Sequence, residues 1–291
     1  MSARHPLAQR EISRVSTIPR FFRRLTEVRS ILGYAALIHL GFFAASMLLY
    51  SRRQSILNAF LAPFLTPFGL PLAAAGLHSI LYWAMLIGVS NMFTTILCRD
   101  LNSHSWQMLR LTPFSGTEIM LAKMNAMRLT WQPILTALIV MRILASLSLP
   151  LTTALESQNS TTVDYIQLVL FIFQPIVDGF LAVSLSALSA SLFPNALWSR
   201  LLSYTLLGLV LGGLGLINSL WLIFTSVMGP LAGLLTPLGH WSLLAVSLMP
   251  IHHPETEVIH LAVMTALHVI IPLLVAVISF RVAVRLANQR M

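Results

Sequence analysis

Two groups of residues combine types and spacing that can do chemistry. His240, His252, His253, Glu255, Glu257 and His260 gather in one stretch of chain, and imidazoles with carboxylates are ordinary zinc and copper ligands. Their spacing fits no zinc signature, His-Glu-x-x-His being absent, so they read as polar side chains at a membrane interface and no metal is assigned. The second group is Arg142, Gln174 and Asp178, which lie inside apolar runs. A lone ionised side chain at such depth demands a partner or water. Arg142 is therefore expected to pair with Asp178. Gln174, Pro175 and Asp178 suggest a kinked, hydrated stretch able to line a path, although a static structural pair is the plainer alternative. Nucleophile elbows, paired catalytic carboxylates, dinucleotide glycine patterns and a phosphate-binding P-loop are absent, so no catalytic residue is assigned.

The elements that position these residues must be membrane helices. The chain has 291 residues, 57% hydrophobic and 9% charged, with mean hydropathy +0.82. That composition excludes a water-soluble globule and indicates an all-α polytopic membrane protein. A hydrocarbon core of ~30 Å needs about 20 helical residues. Six stretches qualify, near 31–50, 75–97, 129–149, 165–193, 201–228 and 258–280, and together with their connections they form a single transmembrane domain over 31–291. Residues 56–74 carry Pro63, Pro67 and Pro71, and 230–250 carry Pro230, Pro237 and Pro250. Repeated prolines delete backbone hydrogen bonds that lipid cannot replace, so these stretches are expected to be broken, interfacial or re-entrant. An eight-span arrangement in which both cross is the alternative topology.

The net charge of +9 sits in short loops and tails rather than on a soluble basic domain. It therefore speaks for orientation in a cell membrane and against nucleic acid. The six-span arrangement puts fifteen of eighteen basic residues on one side, which makes both termini cytoplasmic. Residues 1–30 form a cytoplasmic tail; towards its end and into the first span Phe21, Leu25, Val28 and Leu32 recur at helical spacing while Arg20, Arg23 and Arg24 take other positions. An amphipathic helix on the inner surface, its arginines facing anionic lipid, is expected. The single cysteine, Cys98, reads as packing. Gly208 and Gly212 permit close helix contact in the fifth span and hint at a dimer seam.

Between the second and third spans, Pro113 breaks any helix arriving from Ser105 to Leu111. Ser115-Gly116-Thr117-Glu118 then has the spacing of a capping box, which opens a short helix through Ile119 and Lys123, the only lysine of the chain. Upstream, Trp106 and Leu109 share a side expected to face the membrane, with Trp106 at headgroup depth. The segment reads as two short surface helices around a corner: a docking element.

The stretch "RDLNSHSWQMLRLTPFSGTEIMLAKM", Arg99 to Met124, resembles the cytoplasmic loop of permease subunits of the type 2 ABC exporter family, where a Thr-Pro-x-Ser/Thr-x-x-Glu-Ile-x-x-x-Lys pattern forms the coupling helix. "HPLAQREISRV", His5 to Val15, is similar to the stretch that precedes the N-terminal elbow helix of that family. The chain departs from the pattern at His104, Ser105 and Gln107, where the family shows Gly-Thr and an acidic residue. The resemblance implies that Thr112, Pro113, Ser115, Glu118, Ile119 and Lys123 couple the chain to a separate ATPase. It also implies ATP and magnesium on that partner, no cofactor in this chain, a second permease chain in a homo- or heterodimer, and export as the direction. A non-transporting membrane scaffold with the same fold is the main alternative. An intramembrane metalloenzyme built on the outer histidines is a weaker one.

Overall fold

Apolar runs in lipid must satisfy their own backbone groups, which favours helices. The computed structural model describes residues 69–103, 106, 108–109, 111, 113–153, 162–225, 259 and 262–289, and among these there are helices and no strands. In chain order they are α1 (Gly69–Asn102), α2 (Gly116–Thr153), α3 (Thr162–Leu192), α4 (Ala196–Thr225) and α5 (Ile271–Gln289), the last entered through a π-turn over Ala266–Ile270. Three stretches, Ile172–Leu192, Ala196–Asn218 and Ala262–Gln289, are long and apolar enough to cross a membrane. The protein is a helical membrane protein. Five of the six expected spans coincide with described helices, while 31–50 lies outside the described residues.

Helix α3 is the centre, packed against α1, α2, α4 and α5. The sequence explains why. Ala182, Ser184, Ser186, Ala187, Ser189 and Ala190 are all buried, and small side chains let neighbouring backbones approach. Two of their hydroxyls turn back onto the helix, Ser186 Oγ donating to Ala182 O at 2.7 Å and Ser189 Oγ to Leu185 O at 2.8 Å. Ser186 also meets Ser203 of α4 at 2.8 Å. Between the helices lies a core that includes Leu86, Phe93, Leu97, Met127, Leu138, Leu181 and Leu185.

One glycine fixes how closely α1 and α2 approach. A Cβ at Gly88 would collide with the buried Trp131 ring, lying 2.8 Å from its Cζ2. Gly88→Ala is expected to lower stability by ~1–3 kcal/mol, the usual range for overpacking a filled core. Thermal unfolding in detergent checks this, and Trp131→Leu in the same background should recover part of the loss.

The last helix differs from its expected extent. The final span, expected over 258–280, continues as helix to Gln289, so Arg281 and Arg285 stand on a helix rather than in a free tail. Buried Ala283, Val284 and Ala287 supply the reason, since they carry the packed face past the expected end. One residue, Ile271, separates the π-turn from Pro272. Proline has no N–H to continue the i to i−4 ladder, and the widened turn, in which Ile271 N–H donates to Ala266 O, absorbs the break.

Candidate functional site

The end of the bundle where α1 stops and α2 starts carries the segment that the sequence marks as a docking element. The capping box is formed: Ser115 N–H donates to Glu118 Oε2 at 2.8 Å, and Glu118 N–H donates to Ser115 Oγ at 3.2 Å. Two orphan amides of the helix start are thereby satisfied. Helix α2 then runs unbroken to Thr153, so the expected short helix and the third span are one rod of 38 residues. At 1.5 Å per residue its length is ~57 Å.

Three contacts fix the foot of that rod. Lys123 Nζ forms a buried ion pair with Asp100 of α1, each side chain only 2% exposed. Gly116 lies so close to α5 that a Cβ there would come within 2.5 Å of Asn288 Oδ1. Ile119, Met120 and Met127 are buried in the same core as Trp106 and Leu109. The placement of Trp106 and Leu109 corrects the membrane-facing expectation. They do share one side, but it closes the underside of the bundle, each being 3% exposed. Met108 and Leu111, at 66% and 83%, point outward instead. Apolar spacing alone gives the common side and not which neighbour it meets.

Of the sequence-predicted coupling residues, Pro113, Ser115 and Glu118 are exposed, whereas Ile119 and Lys123 are buried. Thr112 lies outside the described residues. The same end gathers the α3–α4 turn, where Asn102 Nδ2 donates to Pro194 O at 2.5 Å and Cys98 Sγ lies 3.8 Å from Phe193 O. Asn195 begins α4, its Oδ1 accepting from Leu197 N at 2.8 Å. Cys98 is buried and thus serves packing, as its lone occurrence implied.

The second site lies deep in the bundle. Arg142 Nη1 donates to Gln174 Oε1 at 3.2 Å, and Gln174 Nε2 meets His268 Nδ1 at 3.1 Å. The Arg142 guanidinium also sits 5.5 Å from the Tyr82 ring centroid, and the Tyr82 hydroxyl donates to Asp178. The five side chains come from α1, α2, α3 and the π-turn, and all are buried. The expected direct Arg142–Asp178 pair is thus replaced by a bridge: Tyr82 takes the carboxylate and stacks under the cation. Such an arrangement holds both charged groups in low dielectric through hydrogen bonds and a cation–π contact. It joins four elements at one level. Tyr82 escaped sequence reasoning because it sits singly in an apolar run, and only the fold brings it beside Asp178. His268, two turns beyond His260 on the last expected span, reads from the sequence as a packed, hydrogen-bonded residue rather than a ligand, and it is buried against Gln174.

No family model, curated protein or solved structure matches the chain. The interfacial residues Phe21, Arg23, Arg24 and Leu25, and the histidine and glutamate stretch from His240 to His260, lie outside the described residues. Among the described residues no group of three His, Cys, Asp or Glu could hold a metal. Gly208, Gly212 and Gly213 of α4 face open space, a Cβ at any of them meeting nothing within 4 Å.

Proposed function

We propose that this chain is the permease subunit of an ABC exporter, with six spans and both termini cytoplasmic, coupled through residues 112–124 to a separate ATPase that holds ATP and magnesium. The observation that carries this reading is the rigid foot of α2. A capped helix start projects beyond a buried ion pair, and beside it Leu111 and Met108 are turned outward with Leu121 and Glu118. Outward apolar side chains on a firmly anchored segment suit a protein partner better than water. A push on the first turn of α2 is delivered as tilt along the helix at least as far as Pro133, where the missing N–H permits a kink. Exposed Pro113, Ser115 and Glu118 would form the contact, while Ile119 and Lys123 hold the foot in place. A second permease chain would meet this one along α4, whose apolar side chains are mostly exposed where those of α3 are mostly buried.

Affinity purification of the intact chain in mild detergent, with mass spectrometry of what accompanies it, tests the reading. Recovery of a P-loop ATPase is expected, and Met108→Glu with Leu111→Glu should abolish it while thermal unfolding of the chain is unchanged. Glu118→Ala should weaken the cap by ~1 kcal/mol and reduce partner-coupled ATP turnover in the reconstituted complex. An intact chain that brings down no ATPase would replace this reading with the scaffold.

A further inference from the structure

The basic side chains of the described helices are not spread along them. Seven lysines and arginines carry described side chains, and only Arg142 lies deep in the bundle. The other six, Arg99, Lys123, Arg128, Arg200, Arg281 and Arg285, sit at the docking end, where Asp100 and Glu118 are the described acidic residues.

Contacts between helices set their common level. Take the buried Asp100–Lys123 pair as the origin, with Arg99 next to it. Arg128 lies five residues further along α2, ~7.5 Å into the bundle at 1.5 Å per residue. Arg200 reaches the same height, because its Nη2 donates to Thr95 Oγ1 at 2.8 Å and Thr95 stands five residues above Asp100. On α5, Asn288 packs beside Gly116, which is seven residues below Lys123. Arg281, seven residues above Asn288, therefore returns to the origin, and Arg285 lies ~6 Å beneath it. The arginines form a band ~14 Å deep around the bundle, within the reach of a flexible guanidinium stem to one plane.

The position of the band gives it meaning. Arg99, Arg128, Arg281 and Arg285 are exposed. Arg99 Nε touches Asp100 Oδ1 at 3.8 Å, yet its side chain remains 60% exposed. Trp198, 61% exposed, stands two residues from Arg200 on α4, and tryptophan favours the headgroup level. Above the band the large outward side chains include Leu209, Leu216 and Leu274. The Tyr82 and Arg142 cluster lies ~27–29 Å above the origin, inside the hydrocarbon.

We propose that this band is a binding collar for anionic phospholipid headgroups, in which Arg99, Arg128, Arg281 and Arg285 reach lipid phosphates and Arg200, held by Thr95, lines the same level. The collar seats the bundle at a fixed depth, with the Ser115–Glu118 cap at its lower edge, ~1.5–6 Å beyond Arg285. Basic residues near a membrane surface each contribute about 1 kcal/mol with anionic lipid, so each arginine removed weakens binding about fivefold. The attraction falls as salt shortens the screening length.

The test uses the full chain without any ATPase, so its outcome is separate from that of the transporter reading. The protein is placed in phosphatidylcholine nanodiscs with or without phosphatidylglycerol, and retained lipid is counted by native mass spectrometry alongside thermal unfolding. Phosphatidylglycerol should be retained over phosphatidylcholine and should raise the unfolding temperature. Arg99→Gln, Arg128→Gln, Arg281→Gln and Arg285→Gln together should abolish both effects, and the four corresponding lysine substitutions should keep them. If the fourfold glutamine variant fails to fold, Arg281→Gln with Arg285→Gln alone should still reduce retention. Equal retention of the two lipids by the wild-type chain, or unchanged retention in the glutamine variants, would overturn the collar. A stabilisation reproduced by inorganic phosphate in detergent would overturn it too.

Discussion

Lys123→Met will lower the stability of the protein by ~3–5 kcal/mol, the usual penalty for removing one member of a buried ion pair. The lysine and Asp100 are each 2% exposed, so water cannot replace the lost ammonium. Arg99 approaches the other carboxylate oxygen only at 3.8 Å and is itself largely in solvent. Asp100→Leu with Lys123→Met should recover most of the loss, because replacing both members with apolar residues of similar volume is often neutral or better. Thermal unfolding of the three variants in detergent gives the comparison. A single variant as stable as the wild type would show that the pair does not hold the foot of α2. The double variant carries a further expectation. If the pair is retained to fix the register of α1 against α2, the double variant will fold, yet a cysteine at Ser115 will label with altered rate.

Much of this arrangement was legible in the sequence, for reasons that differ from place to place. The capping box could be read because its chemistry is local: four residues contain both hydrogen bonds. Helix positions followed from run length, because a helix of apolar side chains is the one solution lipid leaves open. The Asp100–Lys123 pair was not legible. Lys123 belonged to a pattern that drew it toward a partner protein, and only the antiparallel meeting of α1 and α2 turns it inward. Trp106 and Leu109 failed similarly, since periodicity defines a face and the bundle decides what covers it. The arginines were read as a topological signal, and their common level emerges only when the contacts of Arg200 and Asn288 set the helices in register.

The deep polar cluster yields the second large effect. Tyr82→Phe removes the donor to Asp178 while leaving a ring for Arg142 to face, so the packing is nearly unchanged and the hydrogen bond is lost. A buried acceptor left without its donor carries its full desolvation penalty, ~1–3 kcal/mol and more where it is charged. The variant should therefore unfold at lower temperature than the loss of one hydroxyl from a surface site would produce. Tyr82→Phe with Asp178→Leu should regain stability, because the acceptor that needed the hydroxyl is gone. That double variant also separates the two roles open to the cluster. Under the transporter reading proposed above, a chain that folds like the wild type and still supports export with a partner ATPase would make the network a structural clasp between α1, α2, α3 and the π-turn. On the same reading, a chain that folds but no longer exports would place the Tyr82–Asp178 pair on the route of the cargo, because stability would then be intact while the hydroxyl and the carboxylate are both missing.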